Sequence, residues 1–133
     1  MLGNPKRTKD YIVNWIRDYF KENGPTCDAV VGISGGKDSS IVAALCVEAL
    51  GKNRVVGVMM PNGEQSDLDD SKRLIQHLGI RYVYTNISHA VQRMIDQIDV
   101  YMDVKEQTKV NLPARIRMAM LYAISQSLPN GGR

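Results

Sequence analysis

The stretch Ser34-Gly35-Gly36-Lys37-Asp38-Ser39-Ser40 places anion-binding residue types beside one that repels anions. Two adjacent glycines free the backbone and let a ligand come close. Consecutive N–H groups can then converge as a nest around phosphate oxygens, and Ser34, Ser39 and Ser40 add hydroxyls. The carboxylate of Asp38 repels a bare phosphate. It fits beside one if a Mg²⁺ lies between them. Apolar runs flank the loop, Ala29–Ile33 before it and Ile41–Leu45 after it. The loop therefore joins a strand to a helix, whose N-terminal dipole and unpaired N–H groups also favour an anion. The competing reading is an ordinary glycine turn capped by Asp38 or Ser39. Two better-known glycine patterns fail. The Walker pattern needs Ser or Thr where Asp38 stands and Gly where Val31 stands, and the dinucleotide pattern GxGxxG fails at Ser34.

The elements that must position this loop follow from periodicity. Residues 5–22 read as an amphipathic helix, with Asn4 as cap, Pro5 in the first position and apolar residues at three- and four-residue spacing. Asp28 to Ile33 is a β-branched apolar run, the mark of a strand buried on both faces. Residues 37–50 are apolar nearly all round and predict a well-buried helix. Val55 to Met60 predicts a second buried strand, residues 67–78 a helix, Ile80 to Tyr84 a third strand, residues 87–104 a helix, and residues 113–128 a last helix with Pro113 in its first turn. The tail Pro129–Arg133 reads as loop. The order α-β-α-β-α-β-α-α implies an α/β fold of three layers, α/β/α, around a Rossmann-like parallel sheet with right-handed crossovers. In such sheets ligands bind beyond the carboxyl ends of the strands, where strand order reverses. The glycine loop sits at such an end.

The motif SGGKDS after a buried strand resembles the pyrophosphate loop of the N-type ATP pyrophosphatases (adenine nucleotide alpha hydrolase-like), a family that includes NAD, GMP, asparagine and argininosuccinate synthetases. Within it, two further stretches resemble the ammonia-dependent NAD synthetases. One is VGVMMPNGEQSDLDD, a strand followed by Pro61, Gln65 and acidic residues. The other is NLPARIRM at residues 111–118, similar to the family's N-x-x-A-R-x-R-M substrate segment. The resemblance implies an ATP-phosphate loop at Gly32, Ile33, Ser34, Gly35, Gly36, Lys37, Asp38 and Ser39, with Asp38 as Mg²⁺ ligand and Asp38 and Ser34 as its catalytic members. It implies adenosine contacts at Met60 and Gln65, and deamido-NAD contacts at Asn111, Arg115 and Arg117. Asn111 and Arg115, four apart, can share a helix face, although Asn111 can also lie just before the helix. Arg117 lies about 200° round the helix from Arg115 and is expected to face the sheet edge or a partner chain, so Arg115 ranks above it. The implied reaction is an ATP-dependent ligation. The carboxylate of deamido-NAD is adenylated, ammonia displaces AMP, and the products are NAD, AMP and pyrophosphate. GMP synthetase-type chemistry, an ATP-binding module without chemistry, and a ligand-free structural domain are the alternatives.

Plainer roles compete for several residues. Arg115 and Arg117 can be surface charges and Gln65 a loop residue. Asp67, Asp69 and Asp70 suit a helix's first turn. His77 and His89 read as surface or packing residues, and Met59, Met60, Met118 and Met120 as core.

The bulk numbers agree. The 133 residues suffice for one domain, 44% hydrophobic content supplies a core, and 23% charge argues against disorder. A net charge of +3 without dense Lys/Arg clusters suits an anionic small molecule and not a nucleic acid. No apolar run approaches a membrane span. The polar stretch Met1–Lys9 is no secretory leader, and Cys27 and Cys46 form no CxxC, so reduced thiols in the cytoplasm are expected. Family members are homodimers about twice as long. The resemblance therefore casts residues 1–133 as the N-terminal part of an ATP-pyrophosphatase domain. Its first strand would be left as an open sheet edge that self-association would cover.

Overall fold

The structure, a computed structural model, describes residues 4–63 and 68–133. It contains α1 (Pro5–Asn23), β1 (Ala29–Gly32), α2 (Lys37–Leu50), a single 3₁₀ turn (Lys52–Arg54), β2 (Val55–Met59), α3 (Leu68–Leu78), β3 (Arg81–Tyr84), α4 (Ser88–Asp99) and α5 (Glu106–Ser127). The three strands form one parallel sheet in the order β1-β2-β3, with Ala29 opposite Val55 and Val56 opposite Arg81.

Alternation along the strands divides the apolar residues between two layers. Ala29, Val31, Ile33, Val55 and Met59 pack with Phe20, Ala43, Cys46 and Ile75, so α1, α2 and α3 cover one face. Val56, Val58 and Met60 pack with Ile87 and Val91, backed by Leu112, Ile116 and Ile124, so α4 and α5 cover the other. The chain thus changes faces after β3 and returns toward the outer edge of β1, which makes that edge the switch point.

Several expectations are corrected. Helix α5 starts two turns before Pro113, which lies inside it, so Asn111 is helical as well. Pro113 offers no N–H to the carbonyl a turn earlier. Packing of Leu112 and Ile116 against the sheet holds the helix through that gap. Helix α4 stops at Asp99 and not near 104, because Val100, Tyr101 and Met102 point into solvent with no core to enter. Helix α2 is less buried than its composition implies: only Ala43 and Cys46 are fully enclosed, while Ile41 and Val42 are about half exposed. Asp67, expected to open α3, lies outside the described residues.

The tail is not loop throughout. Asp28 pairs with Gly132 as a parallel bridge. The Asp28 N–H donates to the Gly131 carbonyl (3.0 Å), the Arg133 N–H to the Asp28 carbonyl (2.9 Å), and the Val30 N–H to the Arg133 carbonyl (2.9 Å). The edge of β1 is therefore covered at its N-terminal half, where a bare edge was expected. A short turn after α5, closed by the Gly131 N–H on the Leu128 carbonyl (2.9 Å), drops the chain there.

Opposite the glycine loop, at the other end of the sheet, Arg81 reaches across β2. Its Nη2 donates to Oδ2 of Asp28 (2.8 Å), a side chain that is 5% exposed, and to the Asn53 carbonyl (3.0 Å). Leaving a buried carboxylate without its partner costs about 1.5–3 kcal/mol, and the half-exposed Arg81 puts this pair at the low end. Urea unfolding of Arg81→Met is expected to show that loss. An unchanged midpoint would remove the pair from the account of stability.

Candidate active site

The loop at the carboxyl end of β1 is arranged by its own serines. The Ser34 N–H donates to Ser39 Oγ (3.2 Å), the two hydroxyl oxygens lie 3.3 Å apart, and the Gly36 N–H donates to Ser34 Oγ (3.4 Å). Ser39 and Ser40 hydroxyls both donate to the Gly36 carbonyl (3.3 and 2.9 Å). Gly35 has φ +87°, a conformation that costs any side-chain-bearing residue strain, so this glycine is required by the turn itself. Gly36 is extended (φ −83°), and a Cβ there would meet nothing nearer than Ser34 Oγ at 3.5 Å. Its value is to leave room for what approaches the loop. Gly36 also caps α2 and has no side chain to accept from the first-turn N–H groups, which stay open to a ligand. Lys37 and Asp38 open α2, both exposed.

Beside the loop lies a cleft of about 460 Å³. The end of β1 (Gly32, Ile33, Ser34), the end of β2 (Met59, Met60, Pro61), Leu68 and Ser71 of α3, and Ala114, Arg117, Met118 and Leu121 of α5 line it. Most of this wall is apolar, as a planar heterocycle beside a phosphate loop requires. The α5 residues recur at i, i+3, i+4 and i+7, one helix face, and that spacing is the signal by which sequence could have found Ala114 and Leu121. Ser71 carries no such signal: it reads as an exposed α3 residue but is buried. Met60, for which adenosine contact and core were both expected, is buried and lines the cleft. Gln65 lies outside the described residues.

The two arginines part as their separation of about 200° implies. Arg117, expected to face the sheet edge or a partner chain, faces the sheet at the end of β2 and lines the cleft, and its Nε donates to the Met60 carbonyl (3.0 Å). Asn111 and Arg115 line a second, shallower recess with Lys105, Gln107, Thr108 and Leu112. The structure thus joins Ser34, Met60 and Arg117 in one cleft and sets Asn111 and Arg115 apart.

Among the described residues no group of three His, Cys, Asp or Glu could hold a metal ion. Asp38 suits Mg²⁺ as a single carboxylate ligand, since that ion binds by one or two carboxylates together with phosphate oxygens and water. His77 and His89 are exposed, Met59 and Met60 are buried, and Met118 is a half-exposed cleft residue. No described helix is long and apolar enough to cross a membrane. Cys27 and Cys46 are free and buried, and burial pushes the Cys46 thiol above its ordinary value. A raised folded pKa contributes stability that is present below the unfolded pKa and lost as pH rises through the folded one. Alkylation of Cys46 at pH 8 is expected to be slow in the native chain and complete after unfolding. Rapid native labelling would contradict its burial.

A parallel α/β sheet covered on both faces, with a glycine turn and an apolar cleft at the switch point, defines a protein of the doubly wound α/β class, whose ligands bind at such a point. Comparison narrows this. The family described as NAD synthase matches residues 8–130, and the chain belongs to that family. It is 40% identical over 117 residues to the NH(3)-dependent NAD(+) synthetase of Pyrococcus furiosus, covering 88% of this chain and 44% of that protein. The enzyme of the same name from Methanocaldococcus jannaschii is 40% identical over 119 residues, with 84% and 45% covered. The solved NH3-dependent NAD synthetase of Campylobacter jejuni superposes with TM-score 0.82 at 30% identity, over 95% of this chain and 53% of that one. An NMN synthetase from Francisella tularensis gives the same TM-score and identity over 92% and 50%. The chain spans about half the length of the curated relatives it matches.

Proposed function

We propose that this chain is the ATP-binding, N-terminal part of an ammonia-dependent NAD synthetase. The observation that carries the reading is the open first turn of α2 beside the apolar cleft, a place for a triphosphate next to a place for a base. ATP lies with its phosphates along Gly32–Ser39 and its adenosine in the cleft against Met60, with Gln65 as a further proposed contact. Asp38 is the residue that would hold a Mg²⁺, which when bound would supply positive charge to offset that of the leaving pyrophosphate. The nicotinate carboxylate of deamido-NAD attacks the α-phosphorus and pyrophosphate departs. The uncapped first-turn N–H groups of α2 stabilise the charge that develops on it, and the Ser34 and Ser39 hydroxyls hold the turn that presents them. Ammonia then attacks the acyl carbon and AMP leaves, so the protein need supply no nucleophile. Asn111 and Arg115, which line the second recess, would take the dinucleotide in this reading; a guanidinium grips a phosphate or carboxylate through two bonds.

Exposed Val110 and Tyr122 of α5, with Val100, Tyr101 and Met102 of the segment joining α4 to α5, support a homodimer through α5 and that segment. A cytoplasmic location follows from the reaction and agrees with two unpaired thiols. One neighbour makes NMN and others NAD, so the fold alone does not choose the substrate, and the sequence relatives favour deamido-NAD. The test mixes the chain with Mg-ATP, ammonium and either deamido-NAD or the corresponding mononucleotide, and follows NAD, NMN and pyrophosphate by mass spectrometry. NAD and pyrophosphate in equal amounts would show that this part suffices for the reaction, and ATP binding is the result expected of it in either case. ATP binding without any product would mark an ATP-binding module, and no ATP-dependent thermal shift would sink the reading.

A further inference from the structure

Helix α5 is held mostly by apolar contact. Leu112, Ile116, Met120, Leu121 and Ile124 pack against the sheet, yet none is fully buried. Such contact is non-directional and lets a helix slide or roll at small cost. Among the described residues, one side-chain hydrogen bond joins α5 to the sheet: Arg117 Nε to the Met60 carbonyl, 3.0 Å, partly buried. It fastens the helix at the carboxyl end of β2, on the cleft wall.

We propose that Arg117 is a positioning residue acting through this one N–H and not through its charge. The bond fixes the rotation of α5 and the backbone of Met60 together. It thereby sets the cleft wall and, on the opposite face of the same rigid helix, the recess holding Asn111 and Arg115. Its cationic planar group invites a phosphate-gripping role, but Nε is already spent on a neutral carbonyl. The claim about ligands rests on the nucleotide reading of the cleft; the claim about the helix does not.

Side-chain geometry supplies the test. Glutamine carries an amide N–H at the same position along its chain as arginine's Nε, without charge. Methionine fills similar space and has no N–H. In the 133-residue chain, hydrogen exchange of the unliganded protein is measured for Arg117→Met and Arg117→Gln. Arg117→Met is expected to speed exchange about tenfold in peptides spanning 58–61 and 114–121, while 40–50 is unchanged. Arg117→Gln is expected to stay within about twofold of the parent. Calorimetry with adenosine and with ATP follows. Arg117→Met is expected to weaken both by the same factor, about tenfold, and Arg117→Gln to restore both. If ATP weakens while adenosine does not, or if Gln and Met behave alike, Arg117 acts by charge and the proposal is overturned. If the parent binds neither ligand, the nucleotide reading fails, and the exchange measurement still decides the role of Arg117.

Discussion

Asp38→Asn is expected to abolish the dependence of ATP affinity on Mg²⁺. Asp38 sits exposed in the first turn of α2, at the mouth of the loop, and makes no side-chain hydrogen bond or ion pair among the described residues. Its charge is therefore free to act on whatever the loop holds. Without Mg²⁺ a carboxylate about 4–6 Å from a triphosphate repels it by roughly 1–4 kcal/mol at the dielectric of a protein surface. With Mg²⁺ between them the same carboxylate attracts. The asparagine should thus bind ATP more tightly in EDTA and less tightly in magnesium, and the ratio of the two affinities should fall at least tenfold toward one. The fold should survive, since a first-turn acid contributes only about 0.3–1 kcal/mol through the helix dipole. Isothermal titration in EDTA and in magnesium measures both terms. An unchanged ratio would mean that Asp38 holds no Mg²⁺, whatever else the loop does.

Gly132→Ala is the substitution with the largest expected cost in stability. A Cβ at Gly132 would stand 2.7 Å from Val30 Cγ2, 2.9 Å from the Ser125 Cα and 3.0 Å from its Cβ. One of these neighbours is backbone of α5, so no single side-chain rotation relieves the contact. Either α5 lifts from β1 or the tail leaves the strand edge, and with it go the bonds joining Asp28 and Val30 to residues 131–133. Overpacking of this kind costs about 1–3 kcal/mol, which in a chain of this size lowers Tm by roughly 3–15 °C. Thermal unfolding followed by circular dichroism reads it. The same Tm as the parent would mean that the tail is not seated on β1 in solution.

These two glycine-rich stretches show how differently sequence speaks. At residues 34–40 every level agreed: an apolar β-branched run, a paired glycine, hydroxyls, then a helix. A loop at a strand's carboxyl end needs only local residues to be recognised. At residues 129–133 the sequence PNGGR carries only turn chemistry. Its strand pairing depends on Asp28 and Val30, a hundred residues away, and on the height at which α5 passes over β1. Long-range closeness leaves no periodic mark.

The same division runs through the site. By itself the sequence determined the order of strands and helices, the parallel sheet, the glycine loop at the end of β1 and the family to which the segment NLPARIRM points, because apolar period, turn residues and short motifs are local properties. Tertiary structure decided which face of α5 meets the sheet. Leu112 and Ile116 pack there and carry the helix through Pro113. That packing turned Arg117 onto the Met60 carbonyl and left Arg115 in a separate recess. Helical spacing fixes the angle between two side chains. Only the helix's contacts fix which of them points into the cleft.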